Sequence, residues 1–217
     1  MASGIRAIVF DLDGTLYSND DFSAEIKWGA GIYIAELKGI TVENAATLIR
    51  ETRQRLSSER GQEATLSAVC VELGGSIAGF HTTVTPLLHP ETLLKPDYRV
   101  TALLTALAKR FELYIYTNNN RTLTERILQE IGLAGLFARI FTIEDFWRPK
   151  PDREVLNHIF ATILKNPEEC LFVGDRYDVD LKLPTEMGCS SFLVTNIQSL
   201  LELETFLSSK PTNPRKA

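Results

Sequence analysis

Four places in the chain carry residues whose types and spacing could do chemistry. The stretch AIVFDLDGTLY ends an apolar run in two aspartates, Asp11 and Asp13, followed by Gly14. Thr117 and Asn118 follow the apolar run FELYIY. Lys150 stands between Pro149 and Pro151, while Gly174 and Asp175 close the run CLFVGD, with Asp178 and Asp180 just beyond. Brought together, these would supply three or four carboxylates, a hydroxyl, exposed backbone amides and one ammonium. Converging carboxylates repel one another and need a cation, and an all-oxygen set with room for water suits Mg²⁺. A hydroxyl beside the first amides of a helix cradles an anion, so Thr117 and Asn118 fit a phosphate. A lysine at the same point would neutralise both a phosphoryl oxygen and a nucleophilic carboxylate. Asp11 could then attack phosphorus to give an aspartyl-phosphate. Asp13 would protonate the leaving oxygen and afterwards activate water. Gly14 lets the chain turn away without blocking the phosphate.

Something must bring these places together, and the pattern between them supplies it. Ala7–Phe10 is short, β-branched and aromatic, a strand buried on both faces. The runs 111–117, 170–175 and 190–195 look alike, and 138–143 is a weaker fifth. Val100, Leu103, Leu104 and Leu107 share a helical face, as do Leu123, Ile127 and Ile131, and Val155, Leu156, Ile159, Phe160 and Ile163. For the second of these helices the spacing predicts a capping box of Thr122 with Glu125 and a stop at Gly132. Strands alternating with helices predict an α/β fold: a parallel sheet flanked by helices on both sides. Ligands of such sheets bind outside the carboxyl ends of the strands, where all four chemical places fall.

One interval is too long. Asp13 and Thr117 are 104 residues apart, whereas Thr117 and Lys150 are 33 apart and Lys150 and Asp175 are 25 apart. A parallel crossover needs a dozen residues or somewhat more. The surplus reads as a small all-helical insertion over 18–94, leaving 1–17 and 95–217 as the Rossmann-like core. Phe22, Ile26, Ala30, Tyr33 and Leu37 repeat at helix spacing up to Gly39. Thr41 would cap a helix with Val42, Ala45, Ala46, Ile49 and Leu56 on one face, and Leu66, Val69, Cys70 and Leu73 mark another. The tail SSKPTNPRKA reads as disordered.

Composition narrows the partners. The 217 residues are 44% hydrophobic and 24% charged, with a formal net charge of -5. That balance speaks against a nucleic-acid polymer or an anionic membrane as main partner, but leaves room for a small phosphorylated ligand at a local positive site. No apolar run reaches membrane-spanning length, and the first ten residues do not read as a signal peptide. Cys70, Cys170 and Cys189 lack metal-ligand spacing and cannot all pair, so free thiols in a reducing cytoplasm are expected. His81, His89 and His158 are scattered and form no metal cluster.

The motifs together resemble the haloacid-dehalogenase-like superfamily. DLDGT resembles its first motif and YIYTN its second; Lys150 in RPKPD matches the third, and VGDRYDVD the fourth. All four stand in the family's order along the whole chain, and the resemblance is to the phosphatase branch with a helical C1-type cap inserted after the first strand. It implies Asp11 as nucleophile, Asp13 as general acid and base, Thr117 as phosphate ligand and Lys150 as the group steadying nucleophile and phosphoryl. Mg²⁺ would be held by Asp11, the Asp13 backbone carbonyl and Asp175, with Asp180 in a supporting or water-mediated role. Dehalogenating members lack a carboxylate at the Asp13 position, so Asp13 implies phosphoryl transfer. The implied activity is Mg²⁺-dependent hydrolysis of a small phosphomonoester, with pyrimidine-5′-nucleotidase-like and phosphoglycolate-phosphatase-like members as comparable precedents. A phosphomutase, or a non-catalytic binding protein on the same scaffold, is the alternative.

Plainer readings compete at each position. A calcium loop starting at Asp11 needs Gly at its sixth place and Glu at its twelfth, where Leu16 and Phe22 stand. A P-loop or dinucleotide fingerprint needs glycines that are absent. A receiver module also gathers Asp, Thr and Lys, but the late GD motif and the long insertion do not fit it. Asp178 reads equally as a solvated loop residue or helix cap. In the insertion, Trp28 and Tyr33 read as core, and Arg50, Arg53 and Arg55 as a solvated face paired with Glu51 and Glu59. Trp147 and Arg148 lie just before Lys150, where they could approach the mouth of the site. Pro184 leaves the start of the helix after the fourth motif open, since proline is tolerated only in a first turn.

Overall fold

The computed structural model describes residues 4–208. Of the expected disordered tail, the residues from Ser209 onward lie outside them. Five strands form one parallel sheet in the order β3-β2-β1-β4-β5: β1 Ala7–Phe10, β2 Glu112–Tyr116, β3 Arg139–Phe141, β4 Cys170–Gly174 and β5 Ser190–Leu193. The chain runs outward from β1 through β2 to β3, then restarts on the other side with β4 and β5. The order therefore reverses at β1, the switch point where such sheets open a crevice. Register aligns the strand ends: Phe10 lies level with Ile115 on one side and Val173 on the other. Asp11, Thr117 and Asp175 consequently emerge along the same edge.

Alternation along the strands divides the core. Ile8 and Phe10 face one apolar layer with Leu113, Ile115, Leu171 and Val173, while Ala7 and Val9 face the other with Tyr114, Tyr116 and Phe172. The expected helical faces cover these layers. Val100, Leu103, Leu104 and Leu107 of one helix and Leu123, Ile127 and Ile131 of the next are buried on the first side. All five residues of the Val155–Ile163 face are buried on the second. Each fully buried side chain of this size contributes roughly 1.5–3 kcal/mol.

Between β1 and β2 the chain forms α1 Asp20–Lys38, α2 Val42–Arg60, α3 Leu66–Glu72, α4 Ile77–Val84 and the single turn α5 Pro90–Leu93. The remaining helices are α6 Tyr98–Ala108, α7 Arg121–Glu130, α8 Arg153–Ile163, α9 Lys182–Glu186, α10 Ile197–Leu201 and α11 Leu203–Ser208. Asn19 caps α1 and also donates to the Leu93 carbonyl (2.9 Å), tying the outgoing connector to the returning one. Arg126 of α7 donates to the Thr85 and Leu88 carbonyls and fixes the return path.

Several local expectations hold. Gly39 ends α1 in the left-handed region (φ 65°) and Thr41 caps α2. Others need correction. The cap of α7 is Asn120, whose Oδ1 accepts from Leu123 N at 3.0 Å, because Thr122 already lies inside the first turn. In α1 Leu37 is exposed, as is Ala46 in α2. Trp28 is half exposed and not core, whereas Tyr33 is buried and bonded to Ser76. Arg55 pairs with Glu59 as expected, but Arg53 pairs with Glu63 and not Glu51. Pro184 is the third residue of α9 and so within its first turn; a π-helical turn over Tyr177–Leu181 precedes it.

Candidate active site

The site grows from the end of β1. Asp11 is buried, and its two oxygens take different partners: Oδ1 accepts from Lys150 Nζ at 2.5 Å and Oδ2 from Thr15 Oγ1 at 3.1 Å. Beyond it Gly14 turns the chain at φ 81°, where a Cβ would stand 2.4 Å from Asp175 Oδ2. The turn thus needs glycine both for its backbone and for the approach of Asp175. It sends Asp13 to other partners, with Tyr17 Oη donating to one oxygen and Asn119 Nδ2 to the other at 2.7 Å.

Lys150 lies 3% exposed and uses its ammonium fully, on Asp11, on Asp180 Oδ1 (2.7 Å) and on the Tyr116 carbonyl (2.9 Å). Burial opposes its charge, but the carboxylates of Asp11 and Asp180 prevail and hold its pKa above the ordinary lysine value. Its backbone N–H donates to Asn118 Oδ1 at 2.8 Å. The Asn118 side chain therefore carries the lysine loop. Thr117 is buried, and its Oγ1 accepts from Asn119 N at 3.1 Å.

From the end of β4, Asp175 and Asp180 complete the cluster. One oxygen each of Asp11, Asp175 and Asp180 lies within 4.8 Å of the others. Gly174 permits this, since a Cβ there would lie 2.4 Å from the Asp180 Cβ. Asp180 Oδ2 accepts from Arg176 N at 3.1 Å, so Asp180 braces Lys150 directly and is not a remote helper. Asp178 stays outside, half exposed beside Lys182. Arg148 pairs with Asp152 and Glu154, and neither it nor Trp147 lines the cavity described below.

Charge does not balance here. The carboxylates of Asp11, Asp13, Asp175 and Asp180 face the cations of Lys150 and Arg176, four negative groups against two positive. Burial, reinforced by Asp180 and opposed by Lys150 and Arg176, pushes Asp11 up to about 7. Burial likewise raises Asp13, against the hydrogen bond from Tyr17, and takes Asp175 to about 6. Asp175 Oδ1 is buried with no hydrogen-bond partner among the described residues. A carboxylate oxygen without a hydrogen bond, 3.8 Å from Arg176 Nε and beside two other carboxyl groups in a site with more acids than bases, fits a small divalent cation bound through oxygen.

Sequence reasoning missed Tyr17, Asn119 and Arg176. Tyr17 stands four residues past Asp13, Asn119 follows the pair that was noticed, and Arg176 lies inside the fourth motif. Nothing in their types says which atom each would meet. Asn119 and Arg176, with His81, Asn118 and residues of α3, surround a cavity of about 170 Å³ that opens on Asp13.

A parallel sheet with acids and a buried lysine gathered at its switch point defines a Rossmann-like enzyme core. Residues 5–188 match the family of haloacid dehalogenase-like hydrolases, and the chain belongs to that family. It is 25% identical over 193 residues to a glyceraldehyde 3-phosphate phosphatase of Methanocaldococcus jannaschii, covering 85% of this chain and 82% of the relative. Its fold is similar to that of a HAD phosphatase from Thermococcus onnurineus, with a TM-score of 0.62 at 17% identity over 96% of this chain and 100% of the other. The HAD-hydrolase YfnB from Bacillus subtilis, solved bound to magnesium, matches with a TM-score of 0.56 at 22% identity over 95% and 100%.

Proposed function

We propose that this hydrolase is a phosphomonoesterase working through an aspartyl-phosphate on Asp11. The observation that carries the reading is the division between two aspartates two residues apart. Asp11 is clamped by Lys150 and Thr15, whereas Asp13 borders the cavity and is held by Tyr17 and Asn119.

In the first step an Asp11 oxygen bonds to phosphorus as the ester P–O bond breaks, and Asp13 gives its proton to the departing alkoxide. Burial raises the pKa of Asp13, the direction that favours proton transfer by a carboxyl. Water then bonds to phosphorus, its proton passes to Asp13, and the Asp11–phosphorus bond breaks to release inorganic phosphate. Lys150 holds Asp11 in place and keeps positive charge beside the attacked centre. Thr117 accepts from the Asn119 amide, which leaves its hydroxyl hydrogen for a phosphoryl oxygen. Asp11, Asp175 and the Asp13 backbone carbonyl would hold Mg²⁺, with Asp180 in support; when bound, the ion neutralises charge on the phosphoryl oxygens. Residues 18–94 would serve as a helical cap over residues 1–17 and 95–217. The three cysteines are free and buried, which supports a reducing, cytoplasmic setting.

The cavity beside Asp13 suits a leaving group of a few carbons better than a nucleoside. The relative named for glyceraldehyde 3-phosphate points the same way. The test is phosphate release with Mg²⁺ from p-nitrophenyl phosphate and from a panel of triose phosphates, phosphoglycolate and nucleoside monophosphates. Asp11→Asn should release none, and Asp13→Asn should fall by about 10²–10⁴-fold. Equal turnover by wild type and Asp11→Asn would overturn the nucleophile assignment.

A further inference from the structure

One titratable side chain at the cavity has no part in the proposed hydrolysis. His81 lies on α4, 5% exposed, with its ring in edge contact with Phe80 at 5.0 Å between centroids. Its Nε2 has no hydrogen-bond partner among the described residues. A buried polar atom left unpaired is costly, so folded proteins keep few of them. The ring lines the same cavity as Asp13, Asn119 and Arg176, with Ser67 of α3 beside it. Burial lowers its pKa to about 4, against a hydrogen bond to the Asn118 backbone that favours the charged ring, so at neutral pH the imidazole is uncharged, its one N–H serves Asn118 and Nε2 keeps a lone pair.

The surroundings limit what such a group can read. Asp13 and Arg176 already bring both signs of charge to the cavity wall. Ile26, Leu66 and Phe80 contribute apolar surface that would contact carbon. What His81 adds is a neutral, directional acceptor at Nε2, the kind that recognises a hydroxyl.

We propose that His81 is a specificity-determining residue whose Nε2 accepts a hydrogen bond from a hydroxyl on the carbon skeleton of a small phosphate ester. This rests on the phosphomonoesterase reading and deepens it. Sites built around such a bond discriminate strongly, because an analogue without the oxygen leaves the protein group unpaired in the complex.

The experiment compares kcat/KM for glyceraldehyde 3-phosphate and glycerol 3-phosphate with that for n-propyl phosphate, which keeps three carbons but lacks the further oxygens. Wild type, His81→Leu and His81→Gln are measured, with p-nitrophenyl phosphate as a reference ester for wild type alone. Wild type should favour the oxygenated esters by about 10–100-fold, the worth of one such bond. His81→Leu should lose most of that preference, and His81→Gln, which keeps a donor and an acceptor, should recover part of it. A preference unchanged in both variants makes His81 a structural residue and overturns the proposal. So does a wild type that hydrolyses p-nitrophenyl phosphate but shows no preference, in which case the phosphomonoesterase reading survives. A wild type inert toward every ester removes both. If His81→Leu does not fold, the His81→Gln ratio decides between the same outcomes.

Discussion

Replacing His81 with leucine should change how the protein responds to acid, in a way the burial of the ring makes calculable. In the unfolded chain the imidazole titrates at its ordinary value of 6.5, while burial in the fold holds it near 4. Below 6.5 the unfolded chain therefore takes up a proton that the folded chain refuses. The stability tied to His81 is complete above pH 6.5 and is lost as pH falls toward 4. At 1.36 kcal/mol per unit, that window amounts to about 3 kcal/mol, most of it gone at pH 4.5. Leucine has no proton to take up and fills a similar volume, so at pH 7.5 the two proteins should differ by less than about 1.5 kcal/mol. Urea unfolding at pH 7.5 and pH 4.5 measures both differences. Every other titrating group is common to the pair, so the change in their difference isolates His81. Parallel losses in wild type and His81→Leu would refute the claim that the ring is buried and neutral.

Other outcomes follow from the site's geometry. Gly14→Ala places a methyl 2.4 Å from Asp175 Oδ2 at a positive φ, so it should lower stability by at least about 1–2 kcal/mol and weaken the response to Mg²⁺; thermal unfolding with and without the ion reads both. Tyr17→Phe removes the hydroxyl that donates to Asp13, and kcat should fall about tenfold or more while the unfolding midpoint moves little. Mg²⁺ binding should release protons at pH 6, where Asp11 at about 7 and Asp175 at about 6 are partly protonated, and almost none at pH 8. Calorimetry in two buffers of different ionisation enthalpy measures that release, and no difference between the two pH values would contradict the raised carboxylates.

Much of the architecture was legible because it depends on short-range pattern. The β-branched run of β1, the apolar faces of α6, α7 and α8, and the glycine end of α1 each follow from residue type and period. The helical insertion was legible as an interval, since 104 residues exceed any simple crossover. Boundaries were less so. Thr122 looked like a cap because it precedes a glutamate at the right spacing, yet Asn120 sits two residues earlier and accepts from the Leu123 amide. Arg53 chose Glu63 over Glu51 because the loop after α2 folds back along that helix, which no spacing within α2 can announce.

The sequence by itself determined the inventory: two aspartates on one strand end, a threonine, a lysine between prolines, and two more aspartates after another strand. Residue chemistry and order along a parallel sheet suffice for that, because strand ends of one register meet at one edge. Tertiary structure decided how the inventory is spent. Only the packed fold sets Lys150 between Asp11 and Asp180, gives the Asn118 side chain the lysine loop to support, and leaves Asp175 Oδ1 without a hydrogen bond among the described residues. Only it brings Tyr17 and Asn119 onto Asp13, and His81 from a distant helix to the same cavity. Hydrogen bonds and burial act over a few ångströms in space, and residues 106 positions apart, such as Asn119 and Asp13, come within that range only when the chain has folded.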